Sequence, residues 1–362
     1  MVYNSLQSLK KLSSDITSVA DCGIITSDVN RRYFTGMKSS AGIVLVFPEQ
    51  VYFIIDFRYI EKASKLLDSI NFVEVVMQDR LYEQINSLLE KHNAKTVAVE
   101  SDWCTVSQLE EFRTKLNAEI VSDNLFSERI NQLRFVKTQA EIDKIISAQR
   151  IAEKGFEHIL EFIRAGRTER EIQLELDYFM LKNGAEALSF DTIALSGKNT
   201  SLPHGVPSDK LVQNGEFVLL DFGAVVDGYH SDMTRTVCVG QPTEEMKAVY
   251  RIVLDAQLAG LKAVRAGITG RELDKIARDI IVQTGYGEQF GHSLGHGVGM
   301  EIHEAPTASP RTDEELLVNS IVTIEPGIYL PGKFGVRIED FVIVKENGCD
   351  NMTLAPKELI VL

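Results

Sequence analysis

The chain has 362 residues, which is long enough for two domains of ordinary size. Apolar residues make up 44% of it and charged residues 25%, a composition typical of globular proteins that excludes disordered and fibrous classes. The formal net charge of −14 argues against a nucleic-acid partner, because binding to phosphates generally needs a basic face.

The cellular location is predicted from the cysteines and the apolar runs. Four cysteines lie far apart without a CxxC pair, so the pattern indicates neither a disulfide framework nor a thiolate metal site. The amino-terminal segment lacks the apolar core of a secretory signal, and no run approaches the roughly 18 apolar residues of a membrane span. We therefore expect a cytoplasmic protein without a membrane partner.

The first 125 residues predict a mixed α/β domain. The runs GIVLVF and VYFIID are typical of strands, and Pro48–Gln50 between them predicts a hairpin. RYIEKASKLLDSI and RLYEQINSLLEKHNA have the spacing of amphipathic helices, and KTVAVE and LNAEIV follow as further strands. We place this domain at residues 1–125 and a linker at 126–136. The linker leads from a loop into a long helix with the capping box Thr138-x-x-Glu141.

The remaining residues, 137–362, contain an internal duplication. The segment RAGRTEREI, which begins at Arg164, recurs as RAGITGREL from Arg265, with six identities in nine positions. Each copy follows a long helical pattern (138–163 and 243–264) and opens a second helix with a Thr-x-x-Glu capping box. The repeated unit is helix–helix–strands, and two such halves would face each other across a central cleft.

Two aspartates flank a predicted hairpin. Asp221 ends the apolar run VLL, and Asp232 lies beyond the turn signal Asp227-Gly228. The hairpin would bring both carboxylates onto neighbouring strands. A single aspartate beside a turn is usually solvated or caps a backbone group, whereas a pair flanked by apolar residues favours a role as metal ligands.

Histidines, glutamates and glycines are concentrated towards the carboxyl end. The segment GHSLGHGVGMEIHE contains His292, His296 and His303, and its glycines allow the backbone to approach a ligand closely. Its last histidine ends a predicted strand, VGMEI. The segment lacks the HExxH pattern of a helix-borne zinc site and the GxGxxG spacing of a nucleotide loop. Further along, Glu325 ends the apolar run IVTI, and Glu339 follows GVRI.

Four of these acids and one histidine form a set that suits two divalent cations. Hard oxygen ligands with a single imidazole favour two cations sharing a water, because one structural zinc ion would require thiolates or more imidazoles. Each acid follows or lies within an apolar, β-branched run, so rigid strands would present it to a shared cavity. The five predicted ligands are Asp221, Asp232, His296, Glu325 and Glu339.

Arg337 lies on the predicted strand face of Glu339. A buried arginine there would orient the glutamate or bind a substrate carboxylate. A structural ion pair is an equally good interpretation of Arg337 taken alone.

The five positions, in the contexts LLDFGA, SDMTRT, GHGVG, TIEPGIY and VRIED, resemble the creatinase/prolidase-like metallopeptidases. This family has the pita-bread fold and includes aminopeptidase P, prolidase and methionine aminopeptidase. The resemblance covers nearly the whole chain, since SVADCGIITSDVNRRYFTG and IIDFRYIEKA resemble the creatinase-like amino-terminal domain. It implies an α/β (α+β) protein in which that mixed α/β domain precedes a pita-bread domain over residues 137–362, with duplicated halves related by a pseudo-twofold axis.

The resemblance also implies an activity and residue roles. Two divalent cations per chain, manganese first and otherwise cobalt or zinc, would activate a water for attack on an Xaa-Pro peptide bond. Glu325, His303 and His292 would be catalytic, Glu325 as the proton shuttle and His303 as a hydrogen-bond donor to the scissile carbonyl. His204, Arg337 and His303 would line the substrate pocket. The expected partners are proline-containing peptides or dipeptides and a second copy of the chain, in a homodimer.

Three alternatives stay open. We favour release of the first residue of Xaa-Pro peptides, as in aminopeptidase P, over cleavage of Xaa-Pro dipeptides, as in prolidase. A prolidase must bind a free carboxylate, and Arg311, Arg31 and Arg32 are candidates that are equally plausible as surface arginines. Metal-free creatine hydrolysis and a non-catalytic binding role are disfavoured, because all five ligands are present and clustered carboxylates without cations would repel each other.

Overall fold

The computed structural model of the protein describes residues 2–362, with side chains from residue 6 onward. The chain divides into two units, the first ending at Arg134 and the second running from Phe135 to Leu362. The division falls inside the segment 126–136, where the chain is helical instead of forming the expected loop.

A mixed sheet forms the centre of the first unit. Its strands among the described residues are β1 (Cys22–Ile25), β2 (Ile43–Phe47), β3 (Gln50–Ile55), β4 (Val73–Met77), β5 (Thr96–Val99) and β6 (Glu119–Val121). They lie in the order β4-β3-β2-β1-β5-β6. The β1–β2 and β2–β3 pairs are antiparallel, and the other three pairs are parallel. The hairpin predicted at Pro48–Gln50 is confirmed, since Phe47 pairs with Gln50.

Helices accompany this sheet along the chain. They are α1 (Val2–Asp15), α2 (Asp28–Thr35), α3 (Ile60–Leu67), α4 (Leu81–Lys91), α5 (Val106–Lys115) and α6 (Leu125–Phe135). The amphipathic patterns of α3 and α4 are confirmed: Ala63 and Leu67 are buried in α3, and Ile85 and Leu89 in α4. These two helices turn their apolar residues inward at the helical spacing that the sequence predicts.

The second unit contains two pairs of helices. Helices α7 (Gln139–Phe162) and α8 (Glu169–Lys182) form the first pair, and α9 (Glu244–Ala263) and α10 (Gly270–Gln283) form the second. Capping boxes begin α7, α8 and α10, where a threonine accepts from the backbone of the third helical residue and a glutamate bonds back. All three boxes lie at the threonines that the sequence predicts.

The strands of the second unit form several small sheets. Among the described residues, the three-stranded sheets are β12-β9-β8, β15-β18-β19 and β11-β10-β7, and the two-stranded sheets are β13-β14 and β16-β17. The strands are β7 (Ala187–Leu188), β8 (Ile193–Ser196), β9 (Glu216–Phe222), β10 (Ala224–Val226), β11 (Tyr229–His230), β12 (Met233–Val239), β13 (Gly295–Gly297), β14 (Glu304–Ala308), β15 (Ile321–Ile324), β16 (Gly327–Leu330), β17 (Phe334–Arg337), β18 (Asp340–Lys345) and β19 (Gly348–Asn351).

The two halves predicted from the sequence duplication make equivalent hydrogen bonds and ion pairs. The amide of Gly166 donates to Val212 O, and the equivalent amide of Gly267 donates to Leu316 O, both at 2.9 Å. The following arginines also correspond: Arg170 pairs with Asp209 in the first half, as Arg271 does with Asp313 in the second. Each half therefore ties the start of its second helix to the strand segment that follows, and the prediction of duplicated halves is confirmed.

None of the helices that the structure describes is long and apolar enough to cross a membrane.

Candidate metal centre and cavity

The second unit contains a cavity of about 890 Å³. All nine residues that the sequence analysis assigned to a site line it. They are His204, Asp221, Asp232, His292, His296, His303, Glu325, Arg337 and Glu339.

Strands β9 and β12 deliver the two aspartates. They pair antiparallel with Thr234 opposite Asp221, and Asp232 immediately precedes β12. The turn at Asp227, whose φ of 51° lies in the left-handed region, joins the short strands β10 and β11. The hairpin prediction is confirmed, with β10 and β11 forming the turn and the longer pair β9–β12 holding the two acids.

The other three predicted ligands come from the second half of the unit. His296 lies in β13, opposite Thr307 of β14, and its amide donates to Thr323 Oγ1 at 3.0 Å. Glu325 follows β15 directly. Glu339 lies between β17 and β18, and its amide donates to Thr234 O at 3.1 Å, which ties it to β12. Hydrogen bonds of these two amides, to the Thr323 hydroxyl and to the Thr234 carbonyl, thus fix the backbone positions of His296 and Glu339.

The side chains meet at one point in the cavity. His296 Nε2 lies 3.3 Å from Glu325 Oε1 and 3.6 Å from Asp232 Oδ2. One possible ligand atom from each of Asp232, His296 and Glu339 falls within 4.8 Å of the others. A single cation can contact three atoms at such separations.

Several carboxylate oxygens in this cluster lack a hydrogen-bond partner. Buried oxygens without one are Asp221 Oδ1, Asp232 Oδ1 and Glu339 Oε1. Burial, followed by the charges of neighbouring carboxylates, raises the pKa of Asp232 and that of Glu339 well above their usual range. Desolvated acids facing each other are costly unless a cation compensates them, so this donor set fits divalent metal ions.

The ring of His296 gives a second indication of a cation. Its Nδ1 lies 3.1 Å from Gly297 O, which requires a proton on that nitrogen. The remaining nitrogen, Nε2, faces the carboxylates of Glu325 and Asp232. Although burial opposes it, the contact with Glu325 raises the pKa of His296. Either a second proton or a metal ion must therefore occupy the space in front of Nε2, and a backbone bond at Nδ1 is the usual support of a metal-binding histidine.

Arg337 is buried within a hydrogen-bond chain. Its guanidinium donates to Asp221 Oδ2, to Tyr329 Oη at 2.8 Å and to Thr234 Oγ1 at 3.0 Å. Tyr329 in turn lies 2.9 Å from His292 Nε2, while His292 Nδ1 lies 2.8 Å from Ser293 O. Both nitrogens of His292 are thus engaged, and the chain runs from His292 through Tyr329 and Arg337 to a predicted metal ligand.

Thr234 and Tyr329 are residues of this site that the sequence analysis missed. Thr234 Oγ1 donates to Glu339 Oε2 at 2.8 Å while accepting from Arg337, so one hydroxyl orients two charged groups. Tyr329 is buried, and burial raises its pKa to about 12. Their positions in the motifs SDMTRT and TIEPGIY, beside Asp232 and Glu325, are the only signal that could have identified them.

His303 and His204 lie at the open side of the cavity and are exposed. The ring of His303 packs edge-on against that of His296, with centroids 4.3 Å apart. Burial of part of the ring and the nearby His296 lower the pKa of His303. The strand predicted over VGMEI is wrong, because residues 298–303 form a turn between β13 and β14 in which Gly299 N donates to Glu301 O. His303 therefore ends a turn and not a strand.

Arg311, a candidate for binding a substrate carboxylate, is not among the described residues of the second unit that line this cavity. Arg31 is only 3% exposed and donates to the carbonyls of Thr26 and Ser39, so it is neither a surface group nor free for substrate. Arg311 is exposed, and Arg32 is half-buried. The arginines that do line the cavity are Arg337 and Arg170.

Glu169 is a further residue that the sequence analysis did not identify. Its carboxylate is completely buried at the start of α8 and accepts hydrogen bonds from the backbone and side chains of residues between 196 and 208. The same segment carries His204 into the cavity wall. In the second half the equivalent position is Gly270, where a Cβ would meet Thr307 O at 2.1 Å. The two halves therefore hold their cavity segments in different ways.

Comparisons with known proteins agree with this architecture. Residues 143–346 match metallopeptidase family M24, and residues 7–136 match the creatinase/prolidase amino-terminal domain. A curated relative, an Xaa-Pro dipeptidase of Pyrococcus furiosus, is 40% identical over 93% of this chain and 94% of its own.

Solved structures give the same result. An Xaa-Pro dipeptidase from Bacillus anthracis is 42% identical, with a TM-score of 0.95 over 99% of this chain and 100% of that one. An X-Pro aminopeptidase from Thermotoga maritima is 39% identical, with a TM-score of 0.87 over 95% and 98% of the two chains. The predicted fold, a creatinase-like domain followed by a pita-bread domain, is confirmed, and so is a metal-dependent peptidase. The chain belongs to metallopeptidase family M24, whose members bind divalent metal ions, and carries the amino-terminal domain of creatinases and prolidases.

Proposed function

We propose that this protein is a dinuclear metallopeptidase that hydrolyses the peptide bond between an amino-terminal residue and proline. The observation that carries the proposal is the set of buried carboxylate oxygens without partners, which face one another and an imidazole nitrogen in a single cavity. Such a cluster is stable at neutral pH only with compensating positive charge. The names of the relatives supply the substrate class.

We assign five residues to the metal ions. Asp221 would hold one ion, His296 and Glu325 would hold the other, and Asp232 and Glu339 would be shared between them. Manganese is our first choice, because carboxylate-rich sites suit it; cobalt and zinc are the alternatives. The bound ions supply Lewis acidity and lower the pKa of a water towards neutrality.

The chain's own residues handle the proton and the carbonyl group. Although burial opposes it, hydrogen bonding to His296 lowers the pKa of Glu325 to about 2, so Glu325 is ionised at neutral pH. We assign it the role of proton shuttle because it lies within the cluster, 3.3 Å from His296 Nε2. The lowered pKa of His303 leaves it neutral at the same pH, with one ring N–H that can be donated to the carbonyl oxygen of the scissile bond.

Three further cavity residues position the reacting groups. Arg337 holds Asp221 through a charge-assisted hydrogen bond. His292, with both nitrogens engaged, acts through Tyr329 on Arg337, which makes its contribution to catalysis one of positioning. His204, exposed at the cavity wall, contacts the substrate directly.

We propose Xaa-Pro dipeptides as the preferred substrates and longer Xaa-Pro peptides as the second candidate. Dipeptidase names are the more frequent among the relatives described above, although the Thermotoga maritima protein is named an X-Pro aminopeptidase. The sequence analysis favoured the longer substrates, and both lengths require the same chemistry at the bond.

The test uses chelated protein reconstituted with Mn²⁺ and assayed on Leu-Pro, Leu-Pro-Gly and Leu-Leu. We expect metal-dependent cleavage of Leu-Pro, weaker cleavage of Leu-Pro-Gly and none of Leu-Leu. Stronger cleavage of the tripeptide reassigns the protein as an aminopeptidase. Absence of metal-dependent cleavage of both proline peptides refutes the proposal and favours a non-catalytic role.

The homodimer and the cytoplasmic location remain predictions that the same preparation can address. Light scattering gives the mass of the assembly, and fractionation of cells gives the location. The prediction that nucleic acid is not a partner rests on the net charge of −14.

A further inference from the structure

The rim of the cavity carries an acid that the proposed chemistry does not use. Asp191 lines the cavity beside Phe190, Thr192 and Ile193, and its side chain is exposed. It forms no hydrogen bond or ion pair with any other residue that the structure describes, whereas the other carboxylates of the cavity wall belong to the metal cluster.

Strand register places Asp191 relative to that cluster. Ile193, the first residue of β8, pairs with Asp221 of β9. Asp191 lies between Ile193 and Ser189, whose amide donates to Gly223 O at 2.9 Å, so both ends of this short segment are held at β9 or directly after it, beside Asp221. An amino-terminal residue bound at the metal edge, beside Asp221, would point its side chain along this wall.

The charged side chains described near Asp191 do not form an ion pair with it. Arg170, the nearest arginine of the cavity wall in sequence, is paired with Asp209 at 3.2 Å. Another charged group close to Asp191 is Asp177, a partly buried acid near Thr192 and Gln173. Burial raises the pKa of Asp177, and the negative charge of Asp191 raises it further. The rim is therefore an acidic region open to a positively charged group from the substrate.

We propose that Asp191 determines specificity by selecting substrates whose residue before proline has a cationic side chain, lysine or arginine. The inference rests on the proposed Xaa-Pro hydrolysis and adds a preference at the position before the cleaved bond. A lysine side chain carries its ammonium group at the end of a flexible four-carbon stem, which suits it to an acid on the wall of the same cavity. A glutamate at the same position meets a like charge and is disfavoured.

The expected size of the substrate preference follows from the solvent exposure of the ion pair between Asp191 and the substrate side chain. A solvent-accessible ion pair contributes modestly, so we expect kcat/KM for Lys-Pro to exceed that for Leu-Pro about threefold and that for Glu-Pro about tenfold. The preference should weaken as ionic strength rises, because salt screens exposed charges.

The experiment compares kcat/KM for Lys-Pro, Leu-Pro and Glu-Pro in the Mn²⁺-loaded wild type, in Asp191→Asn and in Asp191→Lys. Asp313→Asn is the matched control, since Asp313 is an exposed acid in the second half, paired with Arg271 outside the cavity. We expect Asp191→Asn to bring the three substrates within about twofold of each other and Asp191→Lys to favour Glu-Pro. Asp313→Asn should keep the wild-type ratios.

Two results overturn the inference while leaving Xaa-Pro hydrolysis intact. Ratios unchanged by both Asp191 substitutions show that the side chain before proline does not meet Asp191. An equal fall for all three substrates shows that Asp191 binds the α-amino group, which they share. A wild type that cleaves none of them refutes the proposed function and, with it, the preference.

Discussion

The exposure of His303 distinguishes a structural role from a role in contacting the substrate. A structural histidine would be buried and satisfied by a backbone carbonyl, but His303 is exposed, lines the cavity and contacts the ring of His296. These contacts support a role towards substrate.

We predict that His303→Ala lowers kcat about 10²–10³-fold, the usual cost of removing one donor to a developing oxyanion. Metal content and melting temperature should stay at their wild-type values, because no ligand and no buried group is lost. The measurement combines steady-state kinetics, elemental analysis and thermal unfolding, with His158→Ala, outside the cavity, as the control. Normal kcat with normal metal content would remove His303 from the catalytic residues.

A second prediction concerns Glu169, which affects the cavity through the loop of residues 196–208 that it holds. Replacement by alanine leaves several buried donors of residues 196–208 without an acceptor and should cost at least about 2 kcal/mol of unfolding free energy. It should also raise KM, since the same segment carries His204. Asp209 is exposed and lies just beyond that segment, so Asp209→Ala should change the unfolding free energy by no more than about 1 kcal/mol. A Glu169 variant with wild-type stability and KM would contradict this account; denaturant unfolding and kinetics provide the test.

At the scale of elements, the close approach of strands around the cluster depends on glycine. A Cβ on Gly295, next to His296, would lie 1.9 Å from Thr323 O. This Cβ would force β13 away from β15 and move the imidazole of His296.

Gly295→Ala should therefore reduce both stability and metal affinity. Gly348→Ala is the matched control in β19, because a Cβ there meets nothing within 4 Å. We expect the control to unfold and to bind Mn²⁺ as the wild type does, as measured by thermal unfolding and calorimetric titration. Equal behaviour of the two variants would show that the spacing of β13 and β15 does not position His296.

Elements with local signals could be predicted from the sequence. Capping boxes gave the starts of α7, α8 and α10, and the Asp227-Gly228 turn gave the hairpin between the aspartates. The turn over residues 298–303 could not, because the alternation of VGMEI fits a strand pattern and only long-range contacts decide otherwise. The contacts of Glu169 are non-local as well, which is why its role left no pattern in the sequence.

For the whole molecule, the ligand types of the site were predictable from motifs, whereas the hydrogen-bond chain through Thr234 and Tyr329 was not. A motif records which residues occur near a ligand, but the chain depends on side chains from β12, β16 and β17 meeting in space. The burial of Arg31, one of the candidates for binding a carboxylate, could not be predicted for the same reason.

The metal-free protein should have an unusual pH dependence. The folded state raises the pKa of Asp232, Glu339 and His296, so it binds more protons than the unfolded chain, and stability should increase as the pH falls from about 8 to 6.5. Below about 6.5 the lowered pKa values of His292 and His303 oppose the gain.

Mn²⁺-loaded protein should show the reverse, because protons compete with the metal for the same ligands. Thermal unfolding with and without chelator across this pH range makes the comparison. The double variant Asp232→Asn/Glu339→Gln should flatten the metal-free profile. A metal-free wild type that loses stability between pH 8 and 6.5 would contradict the assigned protonation.

The central claim, a site for two cations built from Asp221, Asp232, His296, Glu325 and Glu339, is tested most directly by metal stoichiometry. Chelated protein is titrated with Mn²⁺, and the bound metal is counted by elemental analysis after removal of the free ion. The account predicts two ions per chain at saturation, with His296→Ala weakening one site and Asp232→Asn weakening both. Saturation at one ion, or no binding at all, would contradict it.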